Sequence, residues 1–290
     1  MASIRHHVVA TYIGAFLRQR PISSDTELAE RVLRQRSKTK PTVPRRMRSR
    51  STSTHDAGFE VHTLAPSGLP NGQKVVYLHG GSYLEGITKE HWHLIDAISR
   101  TGATVVVPLY PLAPEATWRS SRQALLDIAT APAHCAPVLM GDSAGGGLAL
   151  SLSQELVDAG TPPAGMVLIS PWVDLTLNLG FGDVRNDPWL DAGVLAAAGR
   201  LWAGPDDPAS APLSALNGRV SGLPATLLMV GTKDILYPSA RELAKRLRAG
   251  ETPVTEIVEQ GLIHNYPLLP IPEAKQAVRT IQAFLSKIRQ

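Results

Sequence analysis

Ser143 lies in Gly141-Asp-Ser-Ala-Gly145, a match to G-x-S-x-G, and a serine so placed is a candidate nucleophile. Small residues on either side let the chain turn sharply and hold the hydroxyl clear of a sheet. The apolar run Val138-Leu-Met140 before it and the helical pattern from Leu148 after it supply the strand, turn and helix that five letters alone lack. A Gly/Ser-rich connecting turn is the competing reading. A base, an acid and oxyanion donors elsewhere in the chain would decide between them.

A serine hydroxyl is a weak nucleophile until a base takes its proton. Of nine histidines, only His264, in Gln260-Gly-Leu-Ile-His-Asn-Tyr266, follows residue 143, in the order serine, acid, histidine that an α/β-hydrolase uses. Asp234, in Gly231-Thr-Lys-Asp-Ile-Leu236, comes directly after the apolar run 226–230 and is the candidate acid that would fix the imidazole. Asp174, Asp183, Asp187, Asp191, Asp206 and Asp207 fall in an irregular stretch, where carboxylates serve as solvated loop residues or helix caps; Glu256 and Glu259 are reserves. Val76-Tyr-Leu-His-Gly-Gly-Ser82 offers backbone N–H groups of Gly80, Gly81 and Ser82 as oxyanion donors, with Ala144 N–H as a further one. His79 precedes the serine, the wrong order for a base in this fold, and is read as structural, its ring bonded to the loop backbone.

The elements that must position these residues alternate. Apolar strands are expected at 75–78, 103–109, 137–140, 165–170, 225–230 and 254–258, with helices at 89–99, 119–130, 148–159, 239–249 and 273–287. Buried strands separated by such helices imply right-handed crossovers and a mostly parallel sheet covered on both faces, with ligands at the strands' carboxyl ends. Residues 45–52 and 58–64 read as an antiparallel pair of edge strands. Two amphipathic helices are expected before residue 37: one from the helical spacing of Ile4, Val8, Tyr12, Ala15 and Phe16, the other capped at Ser24-Asp-Thr-Glu27. Alternation lapses between Pro171 and Pro224, apart from a helix near 190–202, which suggests a substrate-facing insertion. The division is therefore a helical segment at 1–42, core at 43–170, insertion at 171–223 and core again at 224–290.

At 290 residues with 43% hydrophobic side chains, the chain can bury a substantial core. No apolar run approaches the roughly 18 residues of a membrane span, and the first residues lack a secretory pattern, so a soluble cytoplasmic protein without stable membrane insertion is expected. One cysteine, Cys135, excludes an intramolecular disulfide and a cysteine-built metal site. Residues 1–50 carry 12 Lys/Arg against 3 Asp/Glu, a net +9, while the other 240 carry 17 against 22, a net −5. Such an arm can mark nucleic-acid or anionic-membrane binding, but no aromatic platform accompanies it, and it reads as a solvated face offering little apolar surface for emulsified fat.

Together the motifs resemble the hormone-sensitive-lipase-like esterases, the α/β-hydrolase-3 family, from about Lys74 to the C-terminus. The resemblance rests on His79-Gly80-Gly81, Tyr110-Pro-Leu-Ala-Pro-Glu115, Gly141-Asp-Ser-Ala-Gly-Gly146, Ser170-Pro-Trp-Val-Asp174, Asp234-Ile-Leu236 and His264. It implies an α/β-hydrolase fold with about eight strands and a helical cap. It implies also a carboxylester hydrolase needing no metal or organic cofactor, with Ser143, Asp234 and His264 as the triad, Glu115 and Asp142 bracing loops near the serine, and homodimers, which are frequent in the family. Ser82 stands where the family commonly has a third glycine, Tyr237 where an acid often follows, and Tyr266 where Phe is common. The ester pocket is expected among Trp172, Trp189, Leu190, Trp202, Ile235 and Leu236. Two other readings are an amidase or peptidase on the same triad and a non-catalytic small-molecule receptor on the same fold.

Overall fold

A computed structural model describes residues 2–37, 42–131, 135–179 and 187–288. Eight strands form one sheet in the order β1-β2-β4-β3-β5-β6-β7-β8. They are β1 (Ser51–Thr54), β2 (Val61–Leu64), β3 (Lys74–Leu78), β4 (Thr104–Pro108), β5 (Val138–Asp142), β6 (Gly165–Ile169), β7 (Thr226–Gly231) and β8 (Val254–Glu259). From β4 through β8 every pairing is parallel, while β2 is antiparallel to both β1 and β4. This is the mostly parallel sheet expected from the alternation, with the eight strands that the family resemblance implies.

The helices are α1 (Ile4–Tyr12), α2 (Asp25–Arg36), α3 (Lys89–Ser99), α4 (Arg122–Thr130), α5 (Ala144–Asp158), α6 (Ala192–Ala203), α7 (Tyr237–Ala249) and α8 (Pro272–Ile288). Strand side chains alternate between two buried layers, as a sheet covered on both faces requires. Leu78, Leu139, Leu168 and Leu228 pack beneath α4, α5 and α7. Tyr77, Met140, Val167 and Met229 pack against α3 and α8 on the other face.

Strand β3 lies between β4 and β5, so the chain first steps one way across the sheet and then the other. Ligand crevices form where strand order reverses. Register pairs Leu78 with Gly141, which sets the loop after β3 beside the loop after β5.

Three expectations are corrected. Residues 45–50 form a 3-10 turn, and the paired strand begins only at Ser51, because Arg50 is drawn inward to Asp96 (2.6 Å). Helix α5 starts at Ala144 rather than near 148, although a helical glycine costs about 1 kcal/mol against alanine. Close packing overrides that propensity: a Cβ on Gly145 would strike the Leu78 carbonyl. Helix α1, continued by a single π turn over Ile13–Leu17, turns the apolar stripe that marks it in the sequence toward solvent and buries His6 and Ile13 instead.

Leu168 is fully buried in the centre of the sheet. Leu168→Ala is expected to lower the unfolding free energy by about 2–5 kcal/mol, read from the urea midpoint at unchanged slope.

Candidate active site

Ser143 is the hinge between β5 and α5, at φ 51° and ψ −121°. A non-glycine residue held there costs on the order of 1–3 kcal/mol and persists only when its surroundings over-determine it. They do so through backbone: Ser143 N–H donates to Ile169 O (2.8 Å), and Ser143 O accepts from Gly146, Gly147 and Trp172 N–H. At Gly141 a Cβ would strike Gly145 O, so the turn closes only on glycine.

His264 and Asp234 meet in the crevice beyond the strand ends, both buried. His264 Nδ1–H donates to Asp234 Oδ2 (2.9 Å), while Asp234 Oδ1 accepts from Leu236 N–H (2.9 Å). The carboxylate thereby fixes the ring and leaves Nε2 as the free acceptor. Ser143 and His264 line one cavity of about 620 Å³. The Ser143 hydroxyl has no hydrogen-bond partner among the described residues. Burial pushes the His264 pKa down, but the charge and hydrogen bond of Asp234, with Asp187 and Asp142 behind it, outweigh that and hold it above 6.5.

Asp142 is the most connected side chain of the site. Its Oδ1 accepts from Tyr77 Oη–H (2.6 Å) and Gly80 N–H (3.1 Å), and its Oδ2 from Asn265 Nδ2–H (2.9 Å) and His91 Nε2–H (3.3 Å). Burial opposes its charge, but the His91, Tyr77 and Gly80 donors prevail and hold its pKa at about 2. Because Gly80 N–H is committed to Asp142, it leaves the expected donor set. The N–H groups of Gly81, Ser82 and Ala144 have no acceptor among the described residues. His79 donates from Nδ1 to Gly80 O (2.7 Å) and stacks on Tyr110 (4.6 Å between ring centres). Burial, reinforced by nearby His91, drops its pKa to about 4 and keeps the ring neutral.

Of the six expected pocket residues, Trp189 and Leu190 line the cavity. Trp172, Trp202, Ile235 and Leu236 are instead buried in the same hydrophobic layer as Leu78, Leu139, Leu168 and Leu228, with Trp202 stacked on Tyr83 at 4.4 Å. Glu115 is exposed and pairs with Arg36 of α2. Asp183 lies outside the described residues. Asp174 caps its own loop through Thr176 and Asn178 N–H, Asp191 caps α6, Asp206 pairs with Arg119, and Glu256 with Arg241 and Arg248.

Sequence reasoning missed two groups. Val8, Val9, Tyr12, Ile13 and Leu17 from the N-terminal segment form one cavity wall; their helical spacing signals a helix but not its position. Asp187 is buried beside the Asp234–His264 pair, contrary to its reading as a loop carboxylate. Its Oδ1 accepts from Trp189 N–H (2.7 Å) and Leu190 N–H (3.0 Å), its Oδ2 from Ile235 N–H (2.9 Å). Burial and the Asp234 charge raise its pKa.

Residues 75–268 match the model of a family described as having the alpha/beta hydrolase fold. Over 228 residues the chain is 34% identical to an acetyl-hydrolase of Streptomyces hygroscopicus, covering 74% of this chain and 76% of that protein. It is 31% identical to an esterase of Acinetobacter venetianus over 231 residues, 74% of this chain and 75% of the relative. Among solved structures, an esterase from the bacterial hormone-sensitive lipase family superposes with a TM-score of 0.80 at 25% identity, with both chains fully covered.

The imidazole of His264 is expected to titrate above pH 6.5. Asp187→Asn, removing one nearby negative group, should move that titration to lower pH, as followed by the ring resonances in NMR; no shift, or an upward one, would contradict the electrostatic assignment.

Proposed function

The chain belongs to the α/β-hydrolase family, among its hormone-sensitive-lipase-like esterases, and we propose that it is a serine carboxylester hydrolase acting on short- to medium-chain acyl esters. The observation that carries this reading is the Asp234–His264 hydrogen bond (2.9 Å) opening onto the same cavity as Ser143. A volume of about 620 Å³ falls within the roughly 300–1,000 Å³ typical of small-molecule sites.

In the proposed cycle Ser143 Oγ attacks the ester carbonyl carbon while His264 Nε2 takes the hydroxyl proton. Asp234 stabilises the imidazolium without itself taking the proton. Negative charge that develops on the carbonyl oxygen is met by N–H donors of Gly81, Ser82 and Ala144, each worth about 3–4 kcal/mol of barrier in comparable sites. Collapse expels the alcohol, protonated by His264, and leaves Ser143 acylated. Water, deprotonated by His264, then attacks the acyl carbon; collapse breaks the bond to Ser143 Oγ, which takes the proton back from His264 as the carboxylic acid leaves. The N-terminal segment 1–42 and the insertion 171–223 act as the cap over this crevice. The ion pair of Asp25 on α2 with Arg200 on α6 (2.6 Å) supports the two working as one layer.

A rate series on p-nitrophenyl esters of increasing chain length, with the matching anilide, tests the reading. Turnover of short and medium esters is expected, and Ser143→Ala should abolish it. Asp234→Asn should retain the fold and lower kcat by about 10⁴. Activity confined to the anilide would indicate an amidase. Saturable binding without turnover would indicate a receptor.

A further inference from the structure

Five of the eight exposed large hydrophobic side chains among the described residues lie on the outer face of α1 and its π turn. Ile4, Val8, Tyr12 and Phe16, spaced by four residues along the helix and its π turn, are 86%, 65%, 57% and 73% exposed, and Leu17 beside them is 52% exposed. Monomeric surfaces scatter large apolar side chains singly, and a continuous stripe marks a contact. The inner face of the same helix is pinned. Buried His6 accepts the Ile263 N–H at Nε2 (3.3 Å), one residue before His264, and the Ser3 hydroxyl donates to Glu273 (3.0 Å). At the far end Gln19 N–H donates to Trp189 O (2.8 Å). The stripe is thus held in a fixed relation to the cavity, and Val8, Tyr12 and Leu17 belong to both, exposed on the stripe and lining the cavity wall.

Charge identifies the partner. The sequence holds no Asp or Glu before Asp25, whereas Arg5, Arg18 and Arg20 are exposed and have no carboxylate partner among the described residues. The acids lining the cavity are Glu85, Glu90 and buried Asp142, with Glu90 within 3.8 Å of Lys89, and Glu273, beside the start of α1, is taken up by Ser3. An apolar helix face flanked by arginines is the pattern of a helix lying in the interface of an anionic bilayer. A second copy of the chain fits poorly, since a twofold pairing of this face would set the arginines against their own copies.

We propose that α1 docks the protein peripherally on an anionic phospholipid surface through Ile4, Val8, Tyr12, Phe16 and Leu17, with Arg5, Arg18 and Arg20 meeting the headgroups. The cavity mouth then faces the lipid, and an ester chain can pass from the surface along Val8, Tyr12 and Leu17 toward Ser143. The delivery of an ester rests on the function proposed above; the docking does not.

Flotation of the full chain with phosphatidylcholine vesicles, with and without phosphatidylglycerol, reads docking without any turnover. Binding is expected only with phosphatidylglycerol, and it should weaken as salt rises. Ile4→Ser with Phe16→Ser, neither of which lines the cavity, should weaken binding roughly tenfold or more, as should Arg5→Glu with Arg18→Glu. Hydrolysis of water-soluble p-nitrophenyl acetate should be unchanged in both. If the parent protein floats but hydrolyses no ester, docking stands and the esterase reading falls. Failure of the parent to float, equal flotation of the serine variant, or a dimer that the serine substitutions dissociate would overturn the proposal.

Discussion

The site depends on one buried charge. Asp142, one residue before the serine, accepts hydrogen bonds from Tyr77 on β3, Gly80 on the loop after it, His91 on α3 and Asn265 beside His264. These four donors come from three separate stretches of chain, and a carboxylate is the one side chain with enough acceptor sites to join them. A buried ion would be costly alone. Here its donors more than offset that cost and keep it ionised, with its pKa held at about 2. The donor loop and the histidine loop are therefore tied to the same residue that precedes Ser143.

Strain and charge then work together around that residue. Ser143 is held at positive φ by backbone hydrogen bonds, while Asn265, also at positive φ, hangs the His264 loop on Asp142 and on Ser170 Oγ (3.1 Å). The two histidines near the loops divide by environment. His79, buried and without a carboxylate partner, is kept neutral and frames the oxyanion loop; His264, beside Asp234 with Asp187 behind it, is pushed toward holding a proton. A base that must accept a proton while its carboxylate partner stays ionised gains from the second environment.

The sheet, most of the helices and the residues brought together at the crevice could be read from the sequence because each is marked locally. Strand alternation, the Gly-Asp-Ser-Ala-Gly turn and the chain order of acid and histidine carry information within a few residues. What escaped depends on packing between distant segments. The face α1 buries is decided by a bond from His6 to Ile263, 257 residues away. Asp187 looks like any loop carboxylate until three backbone N–H groups close around it, and Gly80 looks like an oxyanion donor until Asp142 takes its N–H. Of the three tryptophans of the insertion, Trp172 and Trp202 pack into the core and only Trp189 reaches the cavity, a division set by tertiary packing and not by local sequence.

The most direct test of this arrangement is the rate at which a fluorophosphonate labels Ser143 in Asp142→Asn, measured by intact-protein mass and normalised to the folded fraction from circular dichroism. An asparagine keeps the shape but turns an amide toward two of the four donors, so the loops should part from the serine. Labelling per folded molecule is expected to fall by about 10²-fold or more, the scale of losing one oxyanion donor. A folded variant labelled at the parent rate would contradict the role assigned to Asp142.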